Sequence, residues 1–243
     1  MASQRRTYRG APTVSETKPE ITPADLTGKT IAVLGGTGPQ GRGLARRFAQ
    51  AGLDVVLGSR TTEKGEAAAA ELSEAIGVPV RGSDNRGASE AGDIVLVVVP
   101  WDGHAELLAD LKPALDGKIV VDCVNPLGFD KQGAYALPVA EGSATQQAAA
   151  ILTESTVVGA FHNVSAVLLE DPEVSDLGTD VLVLGDEREA TDLVQALADT
   201  IPGVRGVYGG RRRNAHQVEA LTANLISMNR RYKAHAGVRV TDV

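Results

Sequence analysis

The sequence predicts an α/β protein: a doubly wound parallel sheet, with a smaller C-terminal α/β part that ends in a long helix. Three observations carry this expectation. The apolar run Thr30–Leu34 leads directly into a glycine-rich turn, Gly35-Gly36-Thr37-Gly38-Pro39-Gln40-Gly41. Short apolar runs then alternate with helical patterns from residue 30 to residue 122, as in sheets built from strand–helix–strand crossovers. One run, Asp93-Ile94-Val95-Leu96-Val97-Val98-Val99, is β-branched almost throughout, the mark of a strand buried on both faces.

The elements follow in order. Residues 1–26 are polar, carry Pro12, Pro19 and Pro23, and are expected to form a flexible extension. Thr30–Leu34 is the first strand. Arg42–Ala51 reads as a helix with Leu44, Ala45, Phe48 and Ala49 at helical spacing, closed by Gly52. Asp54–Leu57 is the second strand. Thr61 or Thr62 caps a helix that runs to Ile76 and stops at Gly77. Val78–Arg81 is a short strand, Asp84–Ala91 a short helix or turn, and 93–99 the strand ended by Pro100. Gly103–Leu111 is a helix and Lys118–Asp122 a strand. Asn125–Tyr135 reads as a loop. Thr145–Leu152 is a helix, Thr156–Ala160 a strand and Asn163–Leu169 a helix. Asp180–Leu184 is a strand, Glu187–Asp199 a helix and Val204–Val207 a short strand. One helical segment runs from Arg211 to His235. The expected division is an extension at 1–26, a dinucleotide-binding domain at 27–155 and a smaller domain at 156–243.

Composition excludes several classes. A formal charge of −7 argues against nucleic acid as the main partner. No apolar run approaches the roughly 20 residues that span a membrane. Cys123 is the single cysteine, so no intrachain disulfide forms, compatible with a cytoplasmic setting. No His/Cys cluster has zinc-site spacing.

The spacing Gly36-x-Gly38-x-x-Gly41 fits the dinucleotide fingerprint, which makes the expected sheet a Rossmann-type one. Its first glycine permits the tight turn, its second lets backbone approach a pyrophosphate, and its third lets helix and strand pack closely. The helix N-terminus then offers N–H groups to phosphate. Thr37 is a candidate phosphate donor, and Pro39 and Gln40 present backbone to the same group. A fingerprint that prefers NAD carries a carboxylate at the end of the second strand. Here that strand runs into Ser59, Arg60, Thr61 and, one helical turn on, Lys64. Hydroxyls and positive charge suit a 2′-phosphate, so the expected cofactor is NADP. The alternative is that Arg60 and Lys64 are solvated charges at a helix start.

Several motifs together resemble the NADPH:F420 oxidoreductases, the deazaflavin-dependent NADP oxidoreductases. They are Ile31-Ala32-Val33-Leu34-Gly35-Gly36-Thr37-Gly38, Gly58-Ser59-Arg60, Val98-Val99-Pro100-Trp101, Gly159-Ala160-Phe161-His162-Asn163 and, less closely, Val218-Glu219-Ala220-Leu221-Thr222. The resemblance covers roughly residues 28–240. It implies reversible hydride exchange between NADPH and the deazaflavin coenzyme F420 as co-substrate, in a homodimer. It places Thr37, Ser59, Arg60 and Lys64 at the 2′-phosphate. Val98, Pro100 and Trp101 fall beside the nicotinamide ribose. His162, after Ala160, falls near the deazaflavin, as does the segment Ala236–Val240.

Such chemistry needs two rings held about 3–3.5 Å apart with water excluded, and no nucleophile or metal. Trp101 is either a lid or core filling. His162 either bonds the deazaflavin or is satisfied by local backbone. Asn125, Pro126 and Leu127 begin a loop suited to wall the rings, whereas His104 reads as structural. Arg211-Arg212-Arg213 is a solvated helix start, or a landing site for the coenzyme's acidic tail. Rival readings are an NADP-dependent reductase of a small organic substrate and a non-catalytic NADP-binding sensor.

Overall fold

The order of apolar runs is the order of strands. A computed structural model describes residues 26–243, so the expected extension lies outside the described residues apart from Leu26, which is buried. The first half comprises β1 (Thr30–Leu34), α1 (Pro39–Gln50), β2 (Asp54–Ser59), α2 (Thr62–Ile76), β3 (Arg81–Asp84), α3 (Asn85–Ala91), β4 (Ile94–Val97), α4 (His104–Leu115) and β5 (Ile119–Asp122). The second comprises β6 (Leu127–Asp130), β7 (Gly133–Ala136), α5 (Ala144–Ile151), β8 (Thr156–Gly159), α6 (Ala166–Glu170), β9 (Thr179–Leu184), α7 (Arg188–Asp199), β10 (Val204–Gly210) and α8 (Ala215–Tyr232).

Eight strands form one sheet in the order β10-β9-β8-β5-β4-β1-β2-β3. Period-two alternation sends Ile31 and Val33 to one face, against Leu44, Phe48, Leu72 and Leu197. Ala32 and Leu34 go to the other, against Ala88, Leu108, Leu111 and Ala148. Helices therefore cover both faces, and β4 is buried from Ile94 to Val97, as its β-branched run requires.

The strands from β3 to β8 are parallel, but β9 runs antiparallel to β8, the two meeting at Gly159 and Leu184. The parallel arrangement expected from residues 30–122 holds, and the reversal that follows it at β9 has its cause in length. After β8 the chain has only the five-residue α6, which lies on α1. At 1.5 Å per residue that helix cannot carry the chain back across the sheet, so β9 starts at the edge where β8 ends. β10 then pairs parallel to β9 through the crossover helix α7.

Three further expectations shift. The third strand lies at Arg81–Asp84 and not at Val78–Arg81. Gly82 and Gly65 pack backbone to backbone, where a side chain on either would collide; this contact sets the position more than apolar content does. The expected loop at 125–135 contains the hairpin β6–β7. The Asp130 carboxylate turns it by accepting from the N–H groups of Gln132 (2.7 Å) and Gly133 (3.2 Å). The final helix starts after a 3-10 turn at Arg212–Asn214 and ends at Lys233, which caps it with a left-handed φ of 54°.

Candidate active site

The loops after β1, β2, β4, β5 and β8 all emerge at one edge of the sheet, the carboxyl edge of its parallel block. With them come the residues expected to form the site: Gly36 to Gly41, Ser59 to Lys64, Val98 to Trp101, Asn125 to Leu127, and Ala160 with His162.

The glycine turn divides its labour differently from the expectation. The left-handed φ, 73°, belongs to Gly35, whose missing side chain also clears the Val98 carbonyl of β4's extension. Gly36 makes room for Leu57 of β2 and donates to the Gly58 carbonyl at 3.0 Å. Gly41 lets α1 close on the turn, a Cβ there coming within 2.8 Å of the Gly35 oxygen. Gly38 differs, because a Cβ would meet nothing nearer than 3.5 Å. The protein does not need that position bare. A backbone-approaching ligand does. No side chain caps α1 at Gly38, and no acid lies in its first turn, which leaves its N–H groups and positive dipole end free for phosphate.

At the end of β2, Ser59 is buried, while Arg60, Thr61 and Lys64 are exposed. The Thr61 hydroxyl caps α2 by accepting the Lys64 N–H (3.4 Å). Asp84, the neighbour of Ser59 across the β2–β3 pair, has its carboxylate engaged by the Gly87 N–H (2.7 Å) and the Thr62 hydroxyl (3.2 Å). Asp84 is thus turned to capping α3.

Beyond β4, Val98 is half-buried and Pro100 exposed. The Trp101 ring leans on His104, centroids 5.5 Å apart, and packs partly against the core. His104 and Asp122 form a fully buried pair, Nε2 to Oδ2 at 2.6 Å, with Nδ1 3.1 Å from the Gln147 side-chain oxygen. Burial pushes the imidazole pKa down, but the Asp122 bond and charge and then Gln147 outweigh it, and the net shift is upward.

After β8, Ala160 and Phe161 are buried. His162 is too (2% exposed), and neither of its ring nitrogens has a hydrogen-bond partner. Burial lowers its pKa against the opposing charges of Glu219 and Asp122. Its Nε2 stands 4.0 Å from Glu219, a buried acid of α8. That carboxylate caps α5 by accepting from the N–H groups of Ala144 (2.9 Å) and Thr145 (3.1 Å) and from the Thr145 hydroxyl (2.9 Å). Backbone, and not the ring, anchors the segment: the His162 carbonyl accepts from Asn125 Nδ2 (3.0 Å) and Thr222 Oγ1 (2.9 Å). Pro126 is buried and Leu127 half-buried beside it.

The C-terminal segment reaches the same edge. Asn163 Nδ2 donates to the Asp180 carbonyl (2.7 Å) at the start of β9. The Asp180 carboxylate, with no exposure, takes Arg205 bidentately (Nε 2.9 Å, Nη2 2.6 Å), Arg239 Nη1 (3.1 Å) and the Val240 N–H (2.7 Å). The Arg205 bond, followed by the Val240 and Arg239 bonds, brings its pKa down to about 2. Asp122, Glu219 and Asp180 were not singled out from the sequence. Each is an acid beside or within an apolar run, a pattern that signals a paired buried charge.

Of Arg211–Arg213, the middle arginine is engaged by an acid outside these loops. Because β9 and β10 run against β8, the chain leaving β10 heads toward the amino ends of β5 and β8. There Arg212 pairs with Asp186 (2.9 Å) and lines a groove of about 790 Å³ with Ile119 and Thr156, the first residues of β5 and β8.

The sheet order, the glycine turn and its open Gly38 define a dinucleotide-binding protein of the Rossmann type. The family described as NADP oxidoreductase, coenzyme F420-dependent, matches residues 30–126. An F420-dependent NADP reductase of Methanothermobacter thermautotrophicus is 38% identical over 222 residues, 88% of this chain and 95% of that protein. The Methanocaldococcus jannaschii protein of the same description is 37% identical, covering 88% and 98%. A crystal structure of a candidate F420-dependent NADP reductase from Arthrobacter sp. FB24 superposes with a TM-score of 0.75 at 26% identity, covering 88% of this chain and all of that one. The chain belongs to the F420-dependent NADP reductase family.

Proposed function

We propose that the chain catalyses reversible hydride transfer between NADPH and coenzyme F420. What carries this reading is the 38% identity with a named F420-dependent NADP reductase across 95% of its length, on a sheet edge that gathers the loops of five strands. When bound, the two coenzymes supply the redox chemistry, nicotinamide C4 and deazaflavin C5 being the donor and acceptor carbons. The protein's residues bind, orient and exclude water.

Residues 27–155 hold NADP. Gly38 admits the pyrophosphate, which the first-turn N–H groups of α1 then bind. Ser59, Arg60 and Lys64 hold the 2′-phosphate, with Thr37 and the Thr61 hydroxyl as further donors. Arg60 and Lys64 fit this role because neither has an ion-pair partner among the described residues. Val98, Pro100 and Trp101 flank the nicotinamide end. Residues 156–243 supply the deazaflavin side: Ala160 and His162, whose carbonyl is braced by Asn125 and Thr222, and the tail held by Asp180. Pro126 and Leu127 wall the gap between the rings. His162 acts by position, its buried ring held beside Glu219 at 4.0 Å.

A homodimer fits the exposed apolar side chains of the hairpin and α8, namely Phe129, Tyr135, Met228 and Tyr232. A cytoplasmic setting fits the single, unpaired Cys123. The test mixes purified protein with oxidised F420 and NADPH and follows the visible absorbance of the deazaflavin. Bleaching is expected; its absence refutes the reading.

A further inference from the structure

Gln40 carries two groups that face different places. Its backbone belongs to the uncapped first turn of α1, next to the open face of Gly38. Its side chain turns the other way, and Nε2 donates to the carbonyl of Phe161 at 2.9 Å, across 121 residues of sequence. The acceptor is unusual. Phe161 has a φ of 61°, a left-handed conformation that an aromatic residue rarely adopts. Lys233 and Asp242 share a positive φ among the described non-glycine residues, but both are exposed, whereas Phe161 is fully buried.

A buried left-handed residue persists only where its surroundings over-determine it. Here they do so from three elements. Phe48 of α1 packs edge-on against the Phe161 ring, centroids 5.9 Å apart. Gln40, also of α1, holds the Phe161 carbonyl. Asn125, from the loop after β5, and Thr222 of α8 hold the carbonyl of His162. Two successive carbonyls are thus fixed by side chains, and the first of them is fixed from the helix that begins at the glycine turn.

We infer that Gln40 is a positioning residue. Through the Phe161 carbonyl it sets the conformation of residues 160–163, so that ordering the first turn of α1 around a dinucleotide also orders the wall on the deazaflavin side. The identity of the two ligands rests on the function proposed above. Coupling of this kind is reciprocal in binding: each ligand favours the other, by way of a residue whose backbone serves one and whose side chain shapes the site of the other. The contrasting possibility is that the amide merely satisfies a buried carbonyl. Its loss would then lower stability and weaken both ligands alike.

The test uses the full chain with Gln40→Met, which keeps length and removes the donor, and Gln40→Glu, which offers only acceptors. Thr222→Val is the control, because it loosens the next carbonyl without touching α1. Three quantities are read: the NADPH Kd without F420, from nicotinamide fluorescence; the KM for F420 at saturating NADPH; and hydrogen exchange at residues 160–163 with and without NADPH. In the parent chain NADPH alone slows exchange at these amides. Gln40→Met and Gln40→Glu abolish that slowing and raise the F420 KM about tenfold, the scale of one ordinary hydrogen bond. They change the NADPH Kd less than about threefold, on the same scale. Thr222→Val keeps the NADPH-dependent slowing.

Three results overturn the inference: no slowing by NADPH in the parent chain, slowing preserved in both Gln40 variants, or equal losses of NADPH and F420 affinity. A parent chain that fails to bleach F420 defeats the proposed function instead, and the exchange measurement with NADPH alone still decides the role of Gln40.

Discussion

Asp180→Asn puts a number on the clasp that holds the C-terminal segment. The substitution keeps shape and removes the buried charge that Arg205 and Arg239 share. The carboxyl pKa falls from 3.8 to about 2 in the fold, which corresponds to about 2 kcal/mol of stability. Screening acts on the two guanidiniums, which are about half exposed, but the carboxylate itself is buried. The sign follows from the downward shift. Stability from Asp180 is complete above its unfolded pKa of about 4 and is lost as pH falls through that value toward 2. Urea unfolding of parent and variant at pH 7 and pH 3 measures it. The expected difference is about 2 kcal/mol at pH 7 and about half that at pH 3. In a chain of this size the neutral-pH loss lowers Tm by about 4–8 °C. A difference below about 0.5 kcal/mol at pH 7, the level of an ordinary surface change, refutes the reasoning. So does one that is the same at both pH values.

Other perturbations separate the roles of single residues. Gly38→Ala leaves the melting curve near that of the parent but weakens NADPH binding, whereas Gly41→Ala lowers stability, because its Cβ meets backbone; circular dichroism melts and NADPH titrations check both. Arg60→Gln raises the KM for NADPH about 10–100-fold, the cost of lost charge-assisted bonds, with little change for NADH; equal effects on both contradict the 2′-phosphate role. His104→Gln uncouples the buried pair with Asp122 at a cost of about 3 kcal/mol. Because the folded pKa of His104 is raised above 6.5, the parent's advantage is full below that pH and shrinks as pH rises through the folded value. Urea unfolding from pH 5 to pH 9 checks this, and a flat profile counts against it.

What was legible in the sequence is what local chemistry decides. Thr61 and Gly77 bound α2 as expected because a cap is made within one turn. The β4 run was plain because burial on both faces leaves no polar position. β3 was displaced because its position follows from glycine contacts with α2, which no window of sequence contains. The hairpin did carry a signal, the Asp130-to-Gly133 turn, but its strands hold glycines and no buried residue, so the apolar pattern was weak. At the site, the glycine spacing was legible and the tasks within it were not: only the position of Val98 shows why Gly35 must be bare. Asp180 and Glu219 were overlooked for a like reason. Their partners lie 25 and 75 residues away, and an acid in a buried element declares its purpose only once those partners are in place.

The reversal at β9 has a mechanical side. β4 and β5 share four register pairs in parallel, so a pull along the strands loads the whole ladder at once. β8 and β9 share a single pair, Gly159 with Leu184, and a pull there meets one rung. The sheet is therefore a stiff plank spliced to a narrower one, and the splice falls where the second coenzyme is proposed to lie. Residues 160–163 continue one plank and Asp180 opens the other.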